Sequence, residues 1–269
     1  MISIDRSSRI SAEEEDYLLF TKSDVIEKRS NNVRKLTHKV QRFMREAQVN
    51  YRRFFQAEDL ELLPRMISRI REKKAVDRIE LIEKLNMIKS RNERIKRFGI
   101  QTEDADIASL DSILNNAEYN NEKDALNLIS SYIEMHENIA QARDLIVNRL
   151  EEFEKIMEDF LVGKTVRVNT RDGLRIEGYD GNKLTEDDFS SGEFHFVYMM
   201  VAALLCERSG TILAVDEPEL SLHVSWQRKL ILALSKCASG ASPLFLFATH
   251  STAISAAHKD AVIQLTPVD

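Results

Sequence analysis

The stretch TILAVDEPELSLH, residues 211–223, decides how this chain is read. Ile212 to Val215 form a short apolar run of the kind that makes a buried parallel strand. Asp216 and Glu217 follow at its carboxyl end, where open α/β sheets place their ligands. Two adjacent carboxylates there are costly unless a cation or a reaction uses them. In a phosphoryl-transfer site the first would hold Mg²⁺, directly or through water. The second would orient and polarise an attacking water as a general base. A strand ending in two acids is common by chance. The same strand followed by Pro218, Glu219, Ser221 and His223 is not.

Upstream lies DDFSSGEFHFVYMMVAALLCE, residues 187–207. Ser190, Ser191 and Gly192 precede a helix predicted over 193–207. A small-residue turn at a helix N-terminus offers free backbone N–H groups and the positive end of the helix dipole, which suits an anion. An ordinary serine N-cap has the same appearance, and the tripeptide alone does not separate the two. Downstream, PLFLFATHS places His250 just after a second buried strand, Leu244 to Ala248, expected to neighbour the Asp216 strand.

Taken in this order, the three elements resemble the ABC-type ATPase head, in the branch that includes SMC proteins, coiled-coil recombination-repair ATPases and OLD-family ATPases. Ser190-Ser191-Gly192-Glu193 resembles the signature motif, and Ile212 to Glu217 resembles Walker B with its catalytic glutamate. Ser221-Leu222-His223 falls where the family has its D-loop, and Thr249-His250-Ser251 where it has the switch histidine. The resemblance spans about residues 165–258. It implies a P-loop NTPase fold of the α/β class in which two heads, identical or not, clamp ATP and Mg²⁺ between them. Asp216 would hold Mg²⁺, Glu217 would activate water, and His250 would sense the γ-phosphate. Ser191 and Gly192 would touch the γ-phosphate bound to the opposite head. The resemblance also implies DNA and an effector nuclease as partners, while the cysteine usage fits a cytoplasmic setting.

One part of that pattern is missing. A phosphate-binding P-loop needs Gly-x-x-x-x-Gly-Lys-Ser/Thr, so that backbone N–H groups can cradle the phosphates. The only Gly-Lys-Thr is Gly163-Lys164-Thr165, where Glu158 stands in place of the first glycine. It also opens a strand, VRVNT, instead of a helix, and reads as a decoy. The chain therefore reads as the C-terminal half of a head, with the Walker A lobe supplied elsewhere. Ile2 to Arg9 read as the last strand of that lobe. A truncated or split head and a degenerate, non-catalytic head acting as an interaction subunit both fit this gap.

Three segments follow: 1–20 as exit from the missing lobe, 21–162 as a helical insertion, and 163–269 as the α/β lobe with strands at 211–216, 244–249 and 261–266. A helical insertion before the signature motif is a trait of the family. In the insertion, Val33, Leu36, Val40, Phe43, Ala47, Tyr51 and Phe54 recur at steps of three and four. So do Ile139, Arg143, Ile146, Leu150, Phe153, Met157 and Phe160, a seam along which helices pack lengthwise. Pro64 is expected to break or kink the first arm. Gly99 reads as the C-cap of the second helix, and polar residues 115–123 as another turn.

Charge divides between the arms. Residues 28–97 carry 21 Lys/Arg against 9 Asp/Glu, and residues 101–161 carry 4 against 15. A basic face for a nucleic-acid backbone is one reading, with Lys73, Lys74, Arg91, Arg94, Lys96 and Arg97 as contacts. Two arms of opposite sign attracting along their flanks is the other, and the near-equal charges favour it.

Composition agrees with a helix-rich α/β protein. Of 269 residues, 30% are charged and 43% hydrophobic, with only 8 Gly and 4 Pro, which disfavours a turn-rich β sandwich. A net charge of −6 rules out a polycation that coats nucleic acid. Two cysteines, Cys206 and Cys237, fit neither a disulfide scaffold nor a cysteine zinc site, and point to a reducing compartment. The first residues lack a secretory signal, and no apolar run is long enough to span a membrane.

Overall fold

The computed structural model describes residues 17–20, 29–72, 76–100, 104–115, 123–206 and 210–265. The strand expected over Ile2–Arg9 and most of the turn at 115–123 lie outside the described residues. In chain order the elements are β1 (Tyr17–Phe20), α1 (Arg29–Glu72), α2 (Arg78–Lys96), α3 (Asp104–Asn115), α4 (Lys123–Phe160), β2 (Thr165–Asn169), β3 (Gly173–Glu177), α5 (Ser191–Leu204), β4 (Ile212–Asp216), α6 (Val224–Cys237), β5 (Leu244–Ala248) and α7 (Thr252–Ala257). Short 3₁₀ turns occupy Glu186–Asp188 and Lys259–Ala261. The chain forms two compact units. One draws on the chain up to Leu36, on Glu152–Val166 and on Ile176 onward; the other holds Thr37–Glu151 and Arg167–Arg175.

The first unit is built on a parallel sheet of order β1-β4-β5. Tyr17 pairs with Ile212 at one edge, and Ile212 with Leu244 at the other. Leu213 and Val215 of the central strand are buried, as its apolar run demands. α5 is buried nearly all round, because its sequence from Phe194 to Leu204 is almost wholly apolar. Phe196 of α5 stacks on Phe160 at the end of α4, and Trp226 of α6 meets both rings edge-on or tilted. Trp226 is thus a packing residue. Cys206 and Cys237 are buried thiols that donate to the Ala202 and Met200 carbonyls.

The strand expected at 261–266 does not form. Residues 259–261 make a 3₁₀ turn, and residues 262–265 carry no regular structure. Ile263 and Leu265 are 85% and 90% exposed. An apolar run becomes a strand only where a neighbouring edge accepts its backbone, and none of the described strands pairs with it.

The second unit is helical. Leu81, Leu85 and Ile88 of α2 pack with Ile107, Leu110 and Leu114 of α3 and with Ile129 and Ile133 of α4. Tyr51 of α1 packs with Met135 and Ile139 of α4. The seam expected along α1 holds at Val40, Phe43 and Tyr51 and then drifts: Phe54 is exposed, while Phe55 and Leu62 pack inward. An α-helix turns every 3.6 residues and departs from a strict seven-residue repeat over this length. Pro64 does not break α1, which continues to Glu72. The carbonyl that loses its partner belongs to Leu60, a residue 80% exposed, where water can replace the missing bond. Arg143, the polar interruption of the α4 seam, is buried under Tyr51 and donates to Asn92 Oδ1 at 2.9 Å.

The opposite charges of the arms meet. Arg69 pairs with Glu134, Lys89 with Asp111 at 2.8 Å, Arg91 with Asp144 at 3.1 Å and Arg94 with Glu151 at 2.6 Å. Lys96 and Arg97 pair with Glu93 and Glu151. Four of the six residues considered as nucleic-acid contacts are therefore held by carboxylates; Lys73 and Lys74 lie outside the described residues. Each such pair is worth only about 0–1 kcal/mol. Among the described residues no helix is long and apolar enough to cross a membrane.

Candidate functional site

β4 and β5 run parallel and in register, so that Asp216 lies opposite Ala248. Glu217 continues the ladder by donating its N–H to the Ala248 carbonyl at 2.8 Å. The acidic pair and the Thr249-His250 turn therefore leave the sheet at the same end of adjacent strands. Asp216 is exposed and Glu217 half-buried. Beyond the tip the backbone is held in a costly form: Glu217 and Ser221 have φ of 47° and 60°. Non-glycine residues in that region cost about 1–3 kcal/mol each and cluster at functional sites.

Glu219, which the sequence left without a role, clamps the two strand tips together. Its Oε2 accepts the Thr249 hydroxyl at 2.6 Å and its Oε1 accepts the His250 N–H at 2.8 Å. Ser251 caps α7 and donates its hydroxyl to Gln227 at 2.6 Å, and Gln227 donates to the Leu222 carbonyl at 2.9 Å. This net fixes residues 217–222 against residues 249–251 and leaves the His250 ring exposed. A short apolar strand with a glutamate three residues beyond its end gave no signal for it. His223 caps α6, where its Nδ1 accepts the Ser225 N–H at 3.3 Å.

The serine turn is a capping box. Ser190 Oγ accepts the Glu193 N–H at 3.2 Å, and Glu193 accepts the Ser190 N–H at 2.9 Å. Ser190 and Ser191 are exposed, and Gly192 is buried. A methyl group on Gly192 would lie 2.2 Å from the Ser221 carbonyl oxygen, so only glycine lets the helix approach the loop. One turn further on, buried His195 donates Nδ1–H to the Leu220 carbonyl at 3.1 Å. Burial pushes its imidazole below the ordinary value, against the opposing effects of that bond and of Glu219. The loop that begins with the two acids thus packs at Ser221 against Gly192.

Gly163-Lys164-Thr165 is no phosphate loop here. Gly163 turns the chain after α4 with φ of 84°, and Thr165 opens β2. Lys164 forms an ion pair with Glu193. Burial pushes the Glu193 carboxyl up, but the Lys164 ammonium and the Ser190 bonds outweigh it and hold it below the ordinary carboxylate range.

The residues present fit part of a nucleotide–metal site. An exposed carboxylate at a strand tip suits Mg²⁺, which takes one or two carboxylates and completes its shell with waters and phosphate oxygens. The start of α5 is exposed at Ser190 and Ser191, at the positive end of the helix dipole.

The AAA ATPase domain family matches residues 2–254. The chain belongs to the AAA ATPase domain family. No curated protein sequence matches the chain. Among solved structures, the chain is similar to the crystal structure of the Smc head domain with an extended coiled coil bound to the C-terminal domain of ScpA, from Pyrococcus furiosus. The identity is 13% and the TM-score 0.36, with 90% of this chain and 56% of that chain covered. The chain thus spans little more than half the length of that structure. This AAA ATPase domain joins an ATPase-type α/β lobe to a long helical insertion, and such domains use a nucleotide and typically Mg²⁺.

Proposed function

We propose that this chain is the signature- and Walker B-bearing half of an ATP-hydrolysing head. It would be completed by a P-loop lobe from outside these residues and by pairing with a second head. In this reading Asp216 holds Mg²⁺, Glu217 orients and deprotonates the attacking water, and His250 senses the γ-phosphate. Ser190, Ser191, Gly192 and Glu193 form the turn offered to the nucleotide of the opposite head, flanked by Ser221 and His223. The complex it powers would be cytoplasmic and act in DNA repair or phage defence, with DNA and an effector nuclease as partners.

The observation that carries the reading is the Glu219 clamp, which holds the acidic pair and the His250 turn at one end of adjacent strands. Such preorganisation is what an electrostatically driven phosphoryl transfer requires. The sheet supports the missing lobe. β5 is apolar on both faces, and Leu244 and Leu246 are 62% and 61% exposed at what is an edge among the described strands. Strands of that composition belong inside a parallel sheet. A non-catalytic interaction subunit is the rival reading, favoured by the absence of a P-loop sequence.

The test is ATP hydrolysis by the purified chain with and without a fused P-loop lobe. The chain alone is expected to show none, and the fusion to hydrolyse ATP. Glu217→Gln should lower that rate by about 10²–10⁴-fold, the usual contribution of a general base. Robust hydrolysis by the chain alone, or a fusion indifferent to Glu217→Gln, overturns the proposal.

A further inference from the structure

The Gly163-Lys164-Thr165 sequence is no phosphate loop, yet its lysine is held against the serine turn. Lys164 lies four residues beyond Phe160, the last residue of α4, in a turn where its N–H donates to the Leu161 carbonyl at 3.0 Å. The turn is pinned a second time by Glu158 of α4, whose Oε1 accepts the Val166 N–H at 3.0 Å. Lys164 therefore moves with the end of α4. Its ammonium pairs with the Glu193 carboxylate, with side chains only 16% and 21% exposed, and lies 5.7 Å over the Phe189 ring. Phe189 and Glu193 flank the serine turn on both sides.

Glu193 is also half of the capping box that fixes Ser190. Two residues are thus tied through one carboxylate: Lys164 at the root of α4, and Ser190 at the start of α5. From there Gly192 sits directly against the Ser221 carbonyl. A charge-assisted pair this well shielded from water is stronger and more directional than a surface pair.

We propose that Lys164 is a positioning residue: it sets the orientation of the Ser190-Ser191-Gly192 turn and makes that turn, with the loop at Ser221, follow the end of α4. This assignment rests on the nucleotide-site reading above only for its consequence in catalysis; the coupling itself is a property of the chain.

Amide hydrogen exchange on the full 269-residue chain tests it without nucleotide. In Lys164→Met, exchange at residues 190–194 and 220–222 is expected to rise by about tenfold or more, while the rest of α5 and α6 stays protected. Lys164→Arg, and the exchanged pair Lys164→Glu with Glu193→Lys, should restore protection. Lys164→Met with Glu193→Gln separates loss of the tie from the cost of a stranded carboxylate, and should stay unprotected at residues 220–222. Unchanged exchange in Lys164→Met, a uniform rise across α5 and α6, or failure of both restoring variants overturns the inference. None of these results bears on ATP hydrolysis, and a fusion that fails to hydrolyse ATP leaves the exchange result standing.

Discussion

The Glu219 carboxylate accepts the backbone N–H of His250 at 2.8 Å across 31 residues of chain. With its other oxygen on Thr249, it ties together two strand tips that are otherwise joined through the sheet and the Ser251–Gln227–Leu222 bonds. The geometry around His250 is therefore a property of a carboxylate that itself need not touch a nucleotide.

Glu219→Ala strands the Thr249 hydroxyl and the His250 N–H. Hydrogen bonds to a charged group are worth about 1.5–3 kcal/mol, so urea unfolding should show a loss of about 2 kcal/mol. Glu219→Gln should recover part of it, since the amide oxygen still accepts one bond. In a P-loop fusion both variants should lower the turnover number.

Gly192→Ala places a methyl group 2.2 Å from the Ser221 oxygen, too close for any contact without backbone movement. Overpacking of this kind costs about 1–3 kcal/mol. The neighbouring Ser191→Ala, at an exposed helix position, should change stability by less than about 0.5 kcal/mol. Thermal unfolding of the two variants side by side distinguishes them; equal effects would remove the case for a tight helix–loop contact.

His195 makes stability depend on pH. Its folded form resists protonation because of burial, whereas the unfolded imidazole takes up a proton near pH ~6.5. The unfolded state thus binds more protons below that pH, and stability present at neutral pH is lost as pH falls through that value. Urea midpoints measured from pH 8 to pH 5 should decline in the wild type. In His195→Asn, which keeps a donor for Leu220, this part of the slope should vanish.

The Arg94–Glu151 pair should behave as a partly exposed ion pair. A double-mutant cycle with alanine at both positions is expected to give a coupling of about 0.5 kcal/mol that shrinks in high salt. A coupling near zero at low salt would mean that the charge division between the arms is not used for packing.

Some features of this chain were legible because they are local. An apolar run with two acids at its end predicts the strand tip at Asp216, and the serine turn predicts the start of α5 within two residues. The opposite net charges of the arms foretell their pairing, since long helices packed lengthwise bring opposite flanks together. Other expectations failed where a local pattern depends on a distant partner. The apolar run at 261–266 found no strand edge, and Pro64 proved weaker than the helix around it.

Sequence by itself determined where the chemically charged turns fall, because strands, caps and seams follow from residues a few positions apart. Only the tertiary structure decided what holds those turns in place. Lys164 meets Glu193 across 29 residues, Thr249 meets Glu219 across 30, and Tyr17 pairs with Ile212 from the far end of the chain. No period or spacing encodes such meetings; they arise when the sheet and helices pack and bring each partner within reach of the other.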